Sequence, residues 1–355
     1  MKGIYWRPSR VPRSVLVIIA ILAVLAMVSV EVFRVEKKQP YYEEKIEAAR
    51  QMKKAMETLR EYRVKHVQPV DHEADPTGSG MIGTAHSPIT SVSGYLEAKR
   101  TTINPNWAAV MVHLYKKAGV KKGDVVAMGF SGSFPAINLA AICAAETLGL
   151  NIIAVSSITA STWGANIPEF TWLDMERLLV EKGVISTRSA AVSLGGNEDD
   201  ILIQSSKNRQ LIENIIDRNR VPYISLDNRT DNIDARMSLY REMSAGNFAA
   251  VYVNIGGSSI SAGNRIGKSR YLSGLNKKVR ASALKFDSVM TRFARKDVPI
   301  IHMTNINILA ELYGLPVSPS KLPNVGEGEM FFGMSYNRTL AAFCIVMLVF
   351  ILYLF

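Results

Sequence analysis

Cysteine is scarce in this chain, with two residues, Cys143 and Cys344, among 355. The first lies in an apolar helical pattern and the second in a long apolar run, so no disulfide framework is predicted. The phosphate-binding loop G-x-x-x-x-G-K-S/T is absent, and with it the ATP site that a ligase would need. The interleaved basic and aromatic residues of nucleic-acid-binding proteins are absent as well, so nucleic acid is not a predicted partner, and no cofactor is predicted.

Two long uncharged runs are present, at residues 14–30 and 339–355, each 17 residues long. A helix of that length covers about 26 Å, close to the roughly 30 Å hydrocarbon core of a membrane. The first run lacks a small-x-small cleavage site before Glu31, which favours a retained anchor over a signal peptide. The second run is apolar all round, which favours membrane insertion over a buried core helix.

These runs predict transmembrane helices at 14–33 and 336–355, the first preceded by a basic tail at 1–13. The basic tail favours a cytoplasmic N-terminus, against the three cations that follow the first run, Arg34, Lys37 and Lys38. We therefore predict a two-span protein of the cell membrane whose large domain lies outside the cytoplasm.

Residues 34–66 are predicted to form a charged helical stalk. Between 41 and 66 there is neither proline nor glycine, and apolar residues recur at spacings of three and four: Ile46, Ala49, Met52, Met56, Leu59 and Tyr62. Such a stripe packs either on the protein's own domain or on a second copy of the stalk.

Residues 67–335 are predicted to form one α/β domain. After an irregular stretch, amphipathic helices are predicted at 105–118, 135–148, 171–182, 206–219, 233–244, 275–295 and 305–313. They alternate with short apolar strands at 125–129, 152–156, 190–194, 223–226, 249–254 and 298–302. This alternation predicts a mostly parallel sheet with helices on both faces, a Rossmann-like, doubly wound arrangement.

Three loops that follow predicted strands are rich in serine and glycine. Ligands of such sheets bind at the carboxyl ends of the strands, where backbone N–H groups and hydroxyls suit a carboxylate or phosphate. The predicted ligand-binding residues in these loops are Ser131, Gly132, Ser133, Ser157, Thr159, Ser161, Asn166, Gly256, Gly257 and Ser258.

Several stretches together resemble the family called poly-γ-glutamate system protein. They are TGSGMIG (77–83), SPIT (87–90), AKRTTINPNWAA (98–109), KKGDVVAMGFSGSFPAINLAA (121–141), SSITASTWGANIPEFTWLDMERLL (156–179) and VNIGGSSIS (253–261). The resemblance covers roughly residues 70–330. It implies a membrane-anchored component that works with the synthetase and membrane subunits that make and export poly-γ-glutamate, an acidic capsule-like polymer. It implies no catalytic residues.

A nucleophilic serine is a second hypothesis for the same loops. Gly129-Phe130-Ser131-Gly132-Ser133 matches the nucleophile elbow G-x-S-x-G except in its last residue. His302 at a later strand end is the candidate base, with Asp227 or Asp231 as the acid that orients it. A plain helix start with Ser133 as N-cap explains the same residues.

Two charged segments complete the candidates. Residues 71–75 (DHEAD) contain metal-ligand types, but adjacent residues cannot all face one ion, so a solvated surface segment is favoured and no metal site is predicted. Residues 265–296 hold ten Lys and Arg against Asp287 alone. In the helix predicted there, six cations are candidate contacts for an acidic polymer or for membrane lipid: Lys277, Lys278, Arg280, Lys285, Arg292 and Arg295.

These patterns predict an accessory membrane protein of poly-γ-glutamate synthesis or export that binds the polymer or organises the synthetase complex. Two alternatives stay open: a serine-dependent hydrolase or transferase acting on the γ-glutamyl polymer, and a purely structural scaffold subunit.

Overall fold

The computed structural model describes residues 12–196, 206–226 and 228–354. Its helices are α1 (Arg13–Val32), α2 (Tyr42–His66), α3 (Leu96–Thr102), α4 (Trp107–Ala118), α5 (Pro135–Thr147), α6 (Trp172–Glu181), α7 (Ser206–Asn219), α8 (Arg229–Met243), α9 (Ser259–Ala262), α10 (Arg265–Lys268), α11 (Val289–Ala294), α12 (Ile306–Leu312) and α13 (Arg338–Tyr353). Its strands are β1 (Val35–Lys38), β2 (Thr90–Val92), β3 (Val125–Phe130), β4 (Asn151–Ser157), β5 (Ala160–Ser161), β6 (Asn166–Ile167), β7 (Phe170–Thr171), β8 (Ala191–Ser193), β9 (Val251–Ile255), β10 (Gly274–Asn276), β11 (Ile300–Met303) and β12 (Phe332–Ser335).

The chain forms two compact units: one is made of residues up to 40 and from 332 onwards, and the other is Tyr41–Phe331. In the first unit, β1 pairs antiparallel with β12, and α1 and α13 pack against each other. By length and composition α1 could cross a membrane, with a mean hydropathy of 3.0. Helix α13 is apolar but shorter, at 16 residues.

The second unit is a mixed α/β fold around a six-stranded sheet of order β10-β11-β9-β3-β4-β8. All pairs in it are parallel except β10 with β11. The central strands are almost wholly buried, because runs such as VVAMGF in β3 are apolar on both sides of the strand. A mostly parallel sheet was predicted, and the structure confirms it.

The strand predicted at 223–226 is reduced to a single bridge, between Tyr223 and Val192 of β8. Pro222 precedes it and accepts a hydrogen bond from Val192. Proline has no N–H to donate in return, so the ladder stops after one residue.

Helix α2 belongs to the α/β unit. The predicted apolar stripe is buried at Ile46, Ala49, Met52, Met56 and Leu59, where α2 packs on α4 and α5. Of the two predicted packing modes, the structure has the one on the protein's own domain. The compact unit therefore begins at Tyr41, whereas the predicted stalk covers 34–66 and the predicted domain covers 67–335.

The prediction of one helix at 275–295 is wrong. Its first part is β10, which pairs with β11, and turns follow until α11 begins at Val289. The Ser288 side chain accepts a hydrogen bond from the Thr291 N–H at 3.1 Å, an N-cap that starts the short helix there.

Candidate functional site

A cavity of about 260 Å³ lies where β3, β4, β8 and β9 end. All three predicted serine- and glycine-rich loops reach it. Eight serines line it, together with Thr159: Ser91, Ser131, Ser133, Ser156, Ser157, Ser193, Ser258 and Ser261. Because the strands are parallel, their carboxyl ends share one edge of the sheet, and the loops that follow them meet there.

Two glycines let the loops close around the cavity. Gly256 has φ +92°, and a Cβ there would lie 2.6 Å from the Cβ of Ser131. Gly195 has φ +86°, and its Cβ would lie 2.5 Å from the Cβ of Ser157. Any side chain at either position would push the neighbouring serine away, so the cavity depends on glycine at both.

The loop amides are mostly used to hold the loops to one another. Gly132 N–H donates to Ser157 Oγ at 3.0 Å, Ser133 N–H to Ser131 Oγ at 3.1 Å, and Ser161 N–H to Ser133 Oγ at 3.0 Å. The expectation that these loops offer free backbone N–H groups to an anion is therefore wrong for these three amides. Serine and threonine hydroxyls line the same space and add polar groups to it.

Two cations line the cavity, Arg236 and Lys268, and its described lining contains no carboxylate. Arg236 is 2% exposed and donates from Nη2 to Ser193 Oγ at 2.6 Å. Lys268 donates from Nζ to the Gly257 carbonyl at 3.3 Å. The positive charge of Lys268 beside a partly enclosed, hydroxyl-lined space favours an anionic group.

Sequence reasoning missed both cations, although each leaves a signal. Arg236 lies three residues after Ile233 and four before Tyr240, both buried, so it occupies the inward stripe of α8. Lys268 lies in the tripeptide Gly267-Lys268-Ser269, typical of phosphate loops, but here it belongs to the four-residue helix α10.

The predicted ligand-binding residues divide into two groups. Lining the cavity are Ser131, Ser133, Ser157, Thr159, Gly257 and Ser258. The other four support it from behind: Gly132 and Gly256 through close backbone packing, and Ser161 and Asn166 through hydrogen bonds. Asn166 joins two loops, since its side chain accepts from Thr84 N–H at 2.9 Å and donates to Thr90 Oγ1 at 2.9 Å.

Lys99 is a buried cation behind the same loops. Its Nζ donates to the Ser133 carbonyl and to Ser161 Oγ (2.8 Å), and it lies 3.9 Å from the centre of the Phe134 ring. Burial lowers the pKa of Lys99 to about 7. The side chain therefore ties two loops together and loses its charge near neutral pH.

Of the predicted catalytic triad, the structure describes Ser131 and His302 but not Asp227. Ser131 lines the cavity, but His302 is buried and its Nδ1 lies 3.1 Å from Asn254 Nδ2. Burial, followed by the charge of Lys268, lowers the pKa of His302 to about 4, so the ring is neutral. No hydrogen bond joins Ser131 and His302 in the described part of the chain. Asp227 lies outside the described residues, and Asp231 is exposed at the start of α8, where its N–H donates to Asn228.

The predicted polyanion contacts do not share one helix face. Lys277, Lys278, Arg280 and Lys285 are exposed on the turns between β10 and α11. Arg292 makes two 2.6 Å hydrogen bonds to Asp287, and Arg295 bonds the same carboxylate at 3.0 Å. The apolar residues of 275–293 do recur at helical spacing, but they belong to a strand, to turns and to a short helix.

The acidic cluster at 71–75 stabilises turns. Asp75 is buried and accepts hydrogen bonds from Ser79 N–H and Oγ, Gly80 N–H and Thr77 Oγ1. Asp71 accepts from the N–H groups of Glu73 and Ala74. These carboxylates satisfy backbone donors of their own loop.

Comparisons of this chain with protein-family models, with curated proteins and with solved structures gave no match. A function for the cavity is therefore inferred from its own residues and from the sequence resemblance.

Proposed function

We propose that this protein is a membrane-anchored accessory component of poly-γ-glutamate production and that its cavity binds a γ-glutamyl carboxylate. The observation that carries the proposal is that Lys268 and Arg236 line the same cavity as eight serines. Arginine and lysine donate charge-assisted hydrogen bonds to carboxylates, and hydroxyls add neutral ones. The motifs that resemble the poly-γ-glutamate system family contribute most of this lining.

The size of the cavity favours a short ligand. Its volume of about 260 Å³ lies just below the roughly 300–1,000 Å³ of pockets that hold drug-sized molecules. In this proposal it accepts one end of a polymer chain, or a short γ-glutamyl unit, and the rest of the chain stays outside.

The strand order supports the doubly wound, Rossmann-like interpretation of the fold. Reading outward from β3, one half of the sheet is β3-β4-β8 and the other is β9-β11. In this interpretation the two halves diverge between β3 and β9, which is the switch point where ligands of such sheets bind. The cavity lies at the ends of both strands.

We also propose that α13 accompanies α1 into the membrane. The β1–β12 register pairs Val35 with Ser335, close to where α1 ends and α13 begins, so the two helices lie side by side. The 16 residues of α13 cover about 24 Å, and Arg338 at its start can reach the interface by snorkelling. In this arrangement the α/β unit lies outside the cytoplasm, where it meets the polymer and the synthetase and membrane subunits.

Binding of the dimer γ-glutamyl-glutamate to the full chain in detergent tests the cavity. Lys268→Gln is expected to weaken binding at least about tenfold, because a charge-assisted hydrogen bond is removed. Lys54→Gln is the matched control, since it removes an exposed cation that does not line the cavity, and it is expected to bind as the wild type does. Equal affinity in the two variants, or no binding by the wild type, would contradict the proposal.

A further inference from the structure

A second, larger space lies beside α8, with a volume of about 600 Å³. We name it the α8–α11 groove. It is lined by residues of α8, of the turn that follows it and of the end of α11, among them Met237, Arg241, Phe248, Phe293 and Lys296. The groove lies beside the start of β9, whereas the cavity lies beside its end.

The groove is positively charged. Arg292 is held between Asp287 and Asp234, at 2.6 Å and 3.1 Å, and Arg295 also bonds Asp287, so these charges largely cancel. Arg241 and Lys296 are both exposed, and neither forms an ion pair with a carboxylate within the described chain. They leave about two positive charges uncompensated along the groove wall.

An apolar surface accompanies the two cations. Phe248 is 52% exposed, and Lys296 Nζ lies 5.7 Å from the centre of its ring. Met237 and Phe293 add further apolar lining. Cations next to an exposed aromatic ring suit a chain that alternates carboxylates with methylene groups.

From this geometry we infer that the α8–α11 groove binds a polycarboxylate chain, as a second subsite for the same polymer whose end occupies the cavity. The inference rests on the proposed function. Ala249 and Ile255 lie about 20 Å apart along a buried strand, so a polymer chain that contacts both sites has to pass around the unit and must be longer than that distance. Two linked contacts bind more tightly than either alone.

The test compares a γ-glutamyl dimer with a chain of about 20 residues, long enough to span both sites. Both are titrated into the full chain in nanodiscs of zwitterionic lipid. The long chain is expected to bind at least about tenfold more tightly than the dimer. The double variant Arg241→Glu/Lys296→Glu is expected to lose that gain and to keep the affinity for the dimer.

Arg50→Glu/Lys54→Glu is the matched control, because it replaces one arginine and one lysine with the same change in net charge at exposed positions outside the cavity and the groove. It is expected to behave as the wild type. Phe248→Ala is expected to weaken binding of the long chain without any change in charge.

The outcomes separate the two proposals. If the dimer binds and the groove variant leaves the long chain unaffected, or the control loses as much, the groove inference is overturned and the cavity proposal stands. If only the long chain binds and the groove variant abolishes it, the groove is supported and the cavity proposal fails. If neither ligand binds, both fail. If the groove variant loses binding only to vesicles of anionic lipid, the groove binds a membrane surface and the inference is overturned.

Discussion

Glu176 of α6 is a fully buried carboxyl group. It accepts hydrogen bonds from Ser189 N–H at 2.7 Å and Ser189 Oγ at 3.0 Å. Burial raises the pKa of Glu176 to about 7, against the lowering effect of Ser189 and Arg188. The folded protein therefore binds this proton more tightly than the unfolded chain, and stability is lost as pH rises from about 4.5 through about 7.

Glu176→Gln is expected to remove this loss of stability. A neutral amide can keep the bonds to Ser189 without ever ionising. The variant should match the wild type near pH 5 and exceed it near pH 8, by on the order of 3 kcal/mol for a shift of this size. Thermal unfolding at the two pH values measures the difference. A variant that is less stable than the wild type at pH 8 would show that Glu176 is held ionised.

Lys99 gives anion binding a pH dependence. Lys99 donates a hydrogen bond to the carbonyl of Ser133, which lines the cavity. The charge of Lys99 is lost as pH rises through about 7. Binding of the γ-glutamyl dimer is therefore expected to weaken several-fold between pH 6 and pH 8, because a nearby positive charge disappears. Lys99→Met is expected to bind equally at both pH values, whereas Glu176→Gln keeps the wild-type dependence. A dependence that survives in Lys99→Met would assign it to another group.

Gly256 sets the shape of the cavity wall. A methyl group at this position would meet Ser131, and φ +92° disfavours any residue but glycine. Gly256→Ala is expected to cost about 1–3 kcal/mol of stability and to abolish dimer binding. The comparison variant is Gly183→Ala: Gly183 has φ +65° but open space around its Cβ position, so strain alone should lower stability and leave binding intact. Equal loss of binding in both would contradict a steric role for Gly256.

At the scale of residues, the serines of the cavity could be predicted from the sequence, but its two cationic residues were missed. Serine and glycine directly after apolar strands are a local pattern, and parallel strands bring such ends together. Arg236 reaches the cavity from α8, about 80 residues beyond the β4 loop, and only its place between Ile233 and Tyr240 indicates that it faces inward.

At the scale of elements, helical periodicity was misleading where tertiary pairing overrode it. The apolar spacing of 275–293 fits a helix, but Gly274 has φ +83° and pairs with His302 on β11. An edge strand of three residues gives almost no periodic signal of its own. The Asp287-Ser288 pair before α11 was the available sign of a later helix start.

Helix α2 makes the most direct prediction at this scale. It covers α4 and α5 with side chains that are fully buried, such as Met52 and Leu59. A chain that starts at residue 67 exposes those apolar faces and is expected to aggregate, whereas residues 41–331 keep them covered and should stay soluble and folded. Soluble yield and thermal unfolding of the two chains measure this. A stable, monomeric 67–331 chain would show that α2 is dispensable.

At the scale of the whole molecule, the sequence predicted an α/β unit attached to apolar segments, and the structure confirms the mixed α/β fold and one helix long enough to cross a membrane. The compact unit extends beyond the predicted domain because it includes α2. The sequence of α2 suggested a separate segment, since its buried stripe is narrow and two of the side chains buried with it, Lys45 and Arg63, are charged. The Lys45 ammonium is satisfied by the Met330 carbonyl at 2.8 Å, a contact 285 residues away that no local pattern shows.

The position of a bound γ-glutamyl dimer in the full chain tests the central claim most directly, by a structure of the complex. The expected result is a carboxylate within hydrogen-bonding distance of Arg236 and Lys268, with serine hydroxyls from the β3 and β9 loops around it. A dimer bound elsewhere, or an empty cavity at saturating dimer, would contradict the account.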